Sequence, residues 1–113
     1  MKWNKTFALA LSALALLCTT ATGCGGREKS ICDKIITCEG GNDADRSACV
    51  DRWVGQTATI GAYKCGEAQA RYLECVDTSV MCNSGKFSTN NCGSQWSAVV
   101  TCVNAASAYG VKW

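Results

Sequence analysis

The chain has 113 residues, of which ten are cysteine and none is histidine or proline. Eleven basic and nine acidic residues give a net charge of +2, and the basic residues are spread singly, unlike the basic patches of nucleic-acid-binding proteins. Without histidine the chain cannot form a Ser-His or Cys-His nucleophile pair. We therefore expect no catalytic residues, and we predict that the protein is not an enzyme.

The N-terminal segment has the pattern of an export signal. Lys2 and Lys5 precede an apolar run at residues 7–17, and small residues follow at 19–23. The run is shorter than the about 20 residues that a transmembrane helix needs, so we predict a signal peptide at residues 1–23. Its removal would leave nine basic and nine acidic residues.

The end of the predicted signal, Ala21-Thr22-Gly23-Cys24, resembles the lipobox of bacterial lipoproteins. That resemblance implies acylation of Cys24 and cleavage directly before it, with Cys18 lost in the signal. A chain beginning at Cys24 has nine cysteines, and acylation would leave an even eight. Ordinary cleavage after Gly23, giving a secreted or periplasmic protein, is the alternative.

We predict a lipidated tether at residues 24–30 and a cysteine-rich helical domain at 31–113. Eight cysteines in a small exported domain favour a disulfide framework. Paired C-x₂-C spacings, typical of zinc modules, are absent from the sequence, so we expect neither metal nor cofactor. The predicted disulfide cysteines are Cys32, Cys38, Cys49, Cys65, Cys75, Cys82, Cys92 and Cys102.

The first half of the domain predicts two helices. Ile31, Ile35 and Cys38 indicate a short one with Ser30 as N-cap, and Cys49, Trp53 and Ile60 indicate another. Residues 57–63 also suit a strand, because Thr and Ile favour strands. Residues 40–43 and 83–86 are predicted to form loops. The Asn42 to Asp45 stretch predicts a turn followed by an N-cap at Asp45, in preference to a calcium loop.

The second half contains an internal repeat. The segments from Cys65 and from Cys92 both read C-G-x₈-C-V-[DN], 27 residues apart, and a weaker copy begins at Cys38. Apolar residues in both segments follow a helical period, with Tyr72, Trp96 and Trp53 expected in the core. The fold class that we predict is all-α, a small disulfide-stapled bundle of about four short helices.

Cysteines ten residues apart on one helix can both point toward the same neighbouring helix. If the two repeat helices are antiparallel, the natural bonds are Cys65 with Cys102 and Cys75 with Cys92. The segment resembles the twin C-x₉-C helical hairpins, which implies the same crossed pairing. Bonding of Cys82 to Cys92 or Cys75 is an alternative. We expect the first helix to be stapled to a later one, without a unique partner for each remaining cysteine.

The whole chain resembles the small cysteine-rich lipoproteins that myxobacteria and their relatives carry. The residues that carry this likeness are the lipobox at Cys24, the Cys32-x₅-Cys38 pair, and the segments at 72–76 and 100–103. The resemblance implies an outer-envelope location and a helical disulfide-bonded fold, in a family whose activities are mostly unknown.

These patterns predict a structural or protein-binding module, held to the outer membrane by its lipid and contacting an envelope or extracellular protein. Tyr109 and Trp113 are candidate partner contacts, although a C-terminal segment folded back on the domain is the simpler expectation. The rival function is an envelope enzyme or inhibitor that uses the loop from Asn83 to Asn91. Glu67 and Glu74 share a helix face, which we interpret as solvated rather than as an acid-base pair.

Overall fold

A computed structural model of the protein describes residues 26–109. It has four helices and one β-hairpin, so the prediction of an all-α, disulfide-stapled bundle is confirmed. The elements are α1 (Gly26–Glu39), α2 (Asp43–Ala62), α3 (Gly66–Thr78), β1 (Val80–Asn83), β2 (Lys86–Thr89) and α4 (Gly93–Ala106).

Helix α1 begins earlier than its sequence predicts. It is helical from Gly26, so the expected N-cap at Ser30 is wrong, and most of the expected tether belongs to the folded domain. Glu28 lies in the first turn, where a carboxylate interacts favourably with the helix dipole. Ile31 and Cys32 are fully buried against the other helices. The hydroxyl of Ser30 is therefore free to contact a neighbouring helix.

Helix α2 is capped by Asn42, and the predicted N-cap at Asp45 is wrong. The Asn42 side chain accepts hydrogen bonds from the backbone N–H groups of Ala44 and Asp45, and the Asp45 carboxylate accepts one from the N–H of Asn42. This reciprocal arrangement is a capping box. The helix continues through the ambiguous stretch after Thr57, because Ile60 is buried on its inner face.

The two strong repeat copies form the same local structure. Cys65 and Cys92 are the N-cap residues of α3 and α4, and each is followed by a glycine at the first helical position. The residues before them, Lys64 and Asn91, both have left-handed backbones, with φ of 62° and 64°. The repeat unit is thus a residue with a left-handed backbone, a cysteine at the N-cap position and a helix with a second cysteine ten positions on.

The segment between α3 and α4 is a β-hairpin, which corrects the expected loop. Val80 pairs with Thr89 and Asn83 with Lys86 in an antiparallel ladder. Ser84 and Gly85 form the turn with φ of 52° and 72°. Two successive positive φ angles characterise the two-residue turn that matches the twist of paired strands.

The core consists of two small clusters that share one aromatic residue. The first surrounds Ile31, Leu73, Val76 and Cys92, and the second surrounds Ile60, Cys65, Val99 and Val103. Tyr72 packs against both clusters. Its ring lies 6.2 Å from that of Trp53 and 5.0 Å from that of Trp96. These three aromatic residues are half-buried and connect α2, α3 and α4.

The capping box predicts a difference between two neighbouring substitutions. Asn42→Ala removes the oxygen that two backbone N–H groups share, so the free energy of unfolding should fall by about 1 kcal/mol. Asp43→Ala, which leaves the box intact, is the control and should cost less. Urea unfolding followed by circular dichroism measures both. Equal losses would contradict the assignment of Asn42 as the cap.

Candidate functional site

Four disulfides pair all eight cysteines of the described residues. Cys65 bonds to Cys102 and Cys75 to Cys92, which are the pairs expected for antiparallel repeat helices. The other two bonds connect α1 to the rest of the domain, and their partners could not be assigned from the sequence: Cys32 with Cys49 and Cys38 with Cys82. Cys82 therefore does not bond to Cys75 or Cys92. Such a framework indicates an oxidising, extracytoplasmic compartment.

Polar contacts centred on Asp77 join α1 to α3. Ser30 Oγ donates a hydrogen bond to Asp77 Oδ1 at 2.7 Å, and Lys34 Nζ donates to the same oxygen at 2.6 Å. Partial burial raises the pKa of the Asp77 carboxyl, but the hydrogen bonds from Lys34 and Ser30 and the nearby positive charges lower it more. The net pKa lies below the usual value, so the ionised carboxylate stabilises this contact.

A buried polar cluster lies near the start of α1, and the sequence analysis did not predict it. Glu28 is only 5% exposed, and its Oε1 accepts a hydrogen bond of 3.0 Å from the Thr57 hydroxyl. Gln69 is fully buried and donates to Thr57 Oγ1 at 3.4 Å. The only sequence signal was the polar Gln69 within an apolar helical stripe of α3. The cluster borders a cleft of about 600 Å³ between α1, α2 and α3.

A groove of about 840 Å³ lies between α3 and α4. The two repeat disulfides connect its walls, Cys65–Cys102 near one end and Cys75–Cys92 near the other. We call this surface the repeat groove. The residues that line one wall alternate in charge, and the charged residues are absent from the lining of the facing wall: Lys64 just before α3, with Glu67, Arg71 and Glu74 on α3, and Ser94, Gln95 and Ala98 on α4.

Glu67 and Glu74 both lie in the repeat groove, each beside an arginine. Glu67 Oε1 accepts a hydrogen bond of 2.6 Å from Arg71, and Glu74 Oε2 lies 3.9 Å from Arg27 Nη1. Their side chains are 82% and 64% exposed. Exposed carboxylates with arginine partners are typical of a solvated helix face.

The other sequence-predicted sites are distributed over the molecule. Tyr109 is 98% exposed, so its ring does not fold back onto the domain. The Asn83 to Asn91 segment contributes the hairpin turn and β2. Cys24 and Trp113 lie outside the described residues. Between residues 26 and 109, no helix is long and apolar enough to span a membrane, and no three potential metal ligands are grouped.

Comparisons with protein-family models, with curated proteins and with solved structures found no match to this chain. Its functional interpretation therefore rests on its own residues and their arrangement.

The Asp77 contact predicts a pH dependence of stability. Because the folded-state pKa is lowered, the contribution of Asp77 is fully present above the unfolded value of about 3.9 and is lost as the pH falls through the folded-state pKa. We expect Asp77→Asn to lower the free energy of unfolding by up to about 1 kcal/mol at neutral pH and to flatten its decline below about pH 4. Urea unfolding across this pH range measures the effect.

The control for Asp77 is Glu74→Gln on the same helix, since Glu74 is largely exposed and 3.9 Å from its arginine. Its free energy of unfolding at neutral pH should stay close to that of the wild-type protein. An unchanged profile for Asp77→Asn would contradict the role assigned to Asp77.

Proposed function

We propose that the protein is a lipid-anchored module of the bacterial outer envelope that acts by binding another protein rather than by catalysis. The observation that carries the proposal is the complete pairing of the eight described cysteines. In a mature chain beginning at Cys24, this pairing leaves Cys24 as the only cysteine without a disulfide partner. An acylated sulfur at that position accounts for the odd cysteine.

The position of α1 supports an anchor held close to the folded domain. Gly26, which is two residues after Cys24, is already helical. Two residues span at most about 7 Å, so the first turn of α1 lies close to any lipid attached at Cys24. The domain would be displayed directly above the membrane surface.

The repeat groove is the surface that best suits a protein partner. Its walls are connected by two disulfides, so binding costs little conformational entropy in the protein itself. Glu67, Arg71 and Glu74 offer alternating charges to a polar segment of a partner. Complementary charges at such a rim act mainly on partner selection and on the rate of association.

The hairpin supports a second candidate, an inhibitor of an extracellular enzyme. Its turn at Ser84 and Gly85 is exposed, and Cys82 ties β1 to α1. The Glu39 carboxylate also accepts a hydrogen bond from the Phe87 backbone N–H at 3.1 Å. An exposed turn held in this way could enter an enzyme cleft.

Anchoring is tested by comparing Cys24→Ser with Cys18→Ser. Loss of the acylated sulfur should move the Cys24→Ser protein from the membrane fraction to the soluble fraction, whereas Cys18→Ser should remain with the membrane. Mass spectrometry of the wild-type protein without reductant should show acyl chains on Cys24 and four disulfides. A soluble, unacylated wild-type protein would contradict the anchored function.

Binding is tested with photocrosslinking residues introduced on intact cells. We expect a probe at Gln95, in the repeat groove, to crosslink one defined protein, because that side chain lines the groove. A probe at Lys86 on the hairpin is the matched control and tests the inhibitor alternative. Crosslinking from Lys86 alone would favour the hairpin, and no adduct from either position would contradict a protein-binding role.

A further inference from the structure

The start of α1 is fixed at one end of the bundle. The Thr57 hydroxyl donates to Glu28, and the Arg27 guanidinium donates to the carbonyl oxygen of Ala70 at 3.3 Å. Gly26 and Gly66 line the same cleft. These contacts place the first turn of α1 beside the last turns of α2 and the first turns of α3.

The C-terminal part of α4 lies at the same end. Cys102 bonds to Cys65, the N-cap of α3, and α4 runs antiparallel to α3. The residues after Cys102 therefore extend past the beginning of α3. We call this part of the surface, formed by Gly26, Lys64 and residues 104–109, the anchor end.

Tyr109 differs from the other two tyrosines of the domain. Tyr63 and Tyr72 pack against the core clusters, whereas Tyr109 is 98% exposed. Its backbone is nevertheless held, because the Tyr109 N–H donates to Ser107 Oγ at 3.3 Å and the Ser107 N–H donates to the Val103 carbonyl at 2.8 Å. The backbone that carries this ring is thus hydrogen-bonded to the end of α4, whereas the ring itself is exposed at the surface.

The chemistry of this end suits a membrane interface. Tyrosine and tryptophan concentrate at the level of the lipid headgroups, because the ring is apolar and its polar tip remains hydrated. Lys64, whose side chain is exposed, lies at the anchor end. Lysine at this depth interacts favourably with anionic lipids.

We propose that the anchor end lies against the lipid bilayer, with the Tyr109 ring among the headgroups and the hairpin pointing away from the membrane. This inference rests on the proposed anchoring at Cys24, which would bring the anchor end to the bilayer through a two-residue link. A weak contact between the Tyr109 ring and the headgroups is then enough to orient the domain, since the attached lipid keeps the effective concentration of the ring at the membrane high.

The opposite end provides a matched control. Helix α1 has 14 residues and is therefore about 20 Å long. Near its C-terminus, Cys38 bonds to Cys82 of the hairpin. Lys86 on that hairpin is exposed and remote from the anchor end.

The experiment adds one tryptophan to the lipidated protein, either at the anchor end or on the hairpin. Trp113→Phe is combined with Tyr109→Trp or with Lys86→Trp, while Trp53 and Trp96 remain in both variants. Each protein is reconstituted into vesicles of phosphatidylethanolamine and phosphatidylglycerol, with or without lipid brominated near the headgroup. We expect the fluorescence of Tyr109→Trp to lie at a shorter wavelength than that of Lys86→Trp. Brominated lipid should reduce the fluorescence intensity of Tyr109→Trp and leave that of Lys86→Trp unchanged.

Each outcome has a distinct meaning. Unquenched emission from Tyr109→Trp in a vesicle-bound, acylated protein overturns the orientation and leaves the anchored function intact. Quenching at both positions overturns it as well, because the domain would then lie flat on the bilayer. If mass spectrometry finds no acyl group on Cys24, the anchored function and this inference fail together.

Discussion

Covalent crosslinking between short helices is the constraint on which the rest of the structure depends. Among residues 26–109, only nine hydrophobic residues are buried, and three of them are the disulfide cysteines Cys32, Cys65 and Cys92. An interior of this size provides little stabilisation against the entropy of an ordered chain. Each disulfide contributes typically 2–4 kcal/mol, about as much as the whole core of a small domain supplies. The sulfur atoms therefore serve both as core and as crosslink.

The crosslinks divide the domain into two covalent groups. One contains α1, α2 and the hairpin, and the other contains α3 and α4. Between residues 26 and 109, no disulfide joins α1 directly to α3. Their contact depends on Ile31 packing in the cluster of Leu73 and on the polar contacts of Asp77. This noncovalent interface fixes the start of α1 relative to the repeat groove.

The sequence predicted the features that one helix determines by itself. The apolar period and the ten-residue spacing of cysteines predicted α3 and α4, since both patterns depend only on helix geometry. For antiparallel helices they also predicted the bonds of Cys65 with Cys102 and of Cys75 with Cys92. Features that depend on two competing capping residues, or on contacts between residues distant in the sequence, were not predicted. Asn42 and Asp45 can each cap a helix, and the backbone accepts both in one capping box. Each hairpin strand has only four residues, too few for a clear alternation, and the partner of Cys82 depends on tertiary structure.

The early start of α1 changes what a lipid anchor would do. A flexible tether of seven residues would let the domain sample many orientations above a membrane. With α1 helical from Gly26, at most two peptide units separate the folded domain from Cys24, and the helix direction limits the orientations that remain. The anchor end would then face the bilayer, while the hairpin would face outward at the far end of α1. In the anchored state that we propose, the contacts that hold α1 against α2 and α3 therefore also determine which surface of the domain is accessible to a partner.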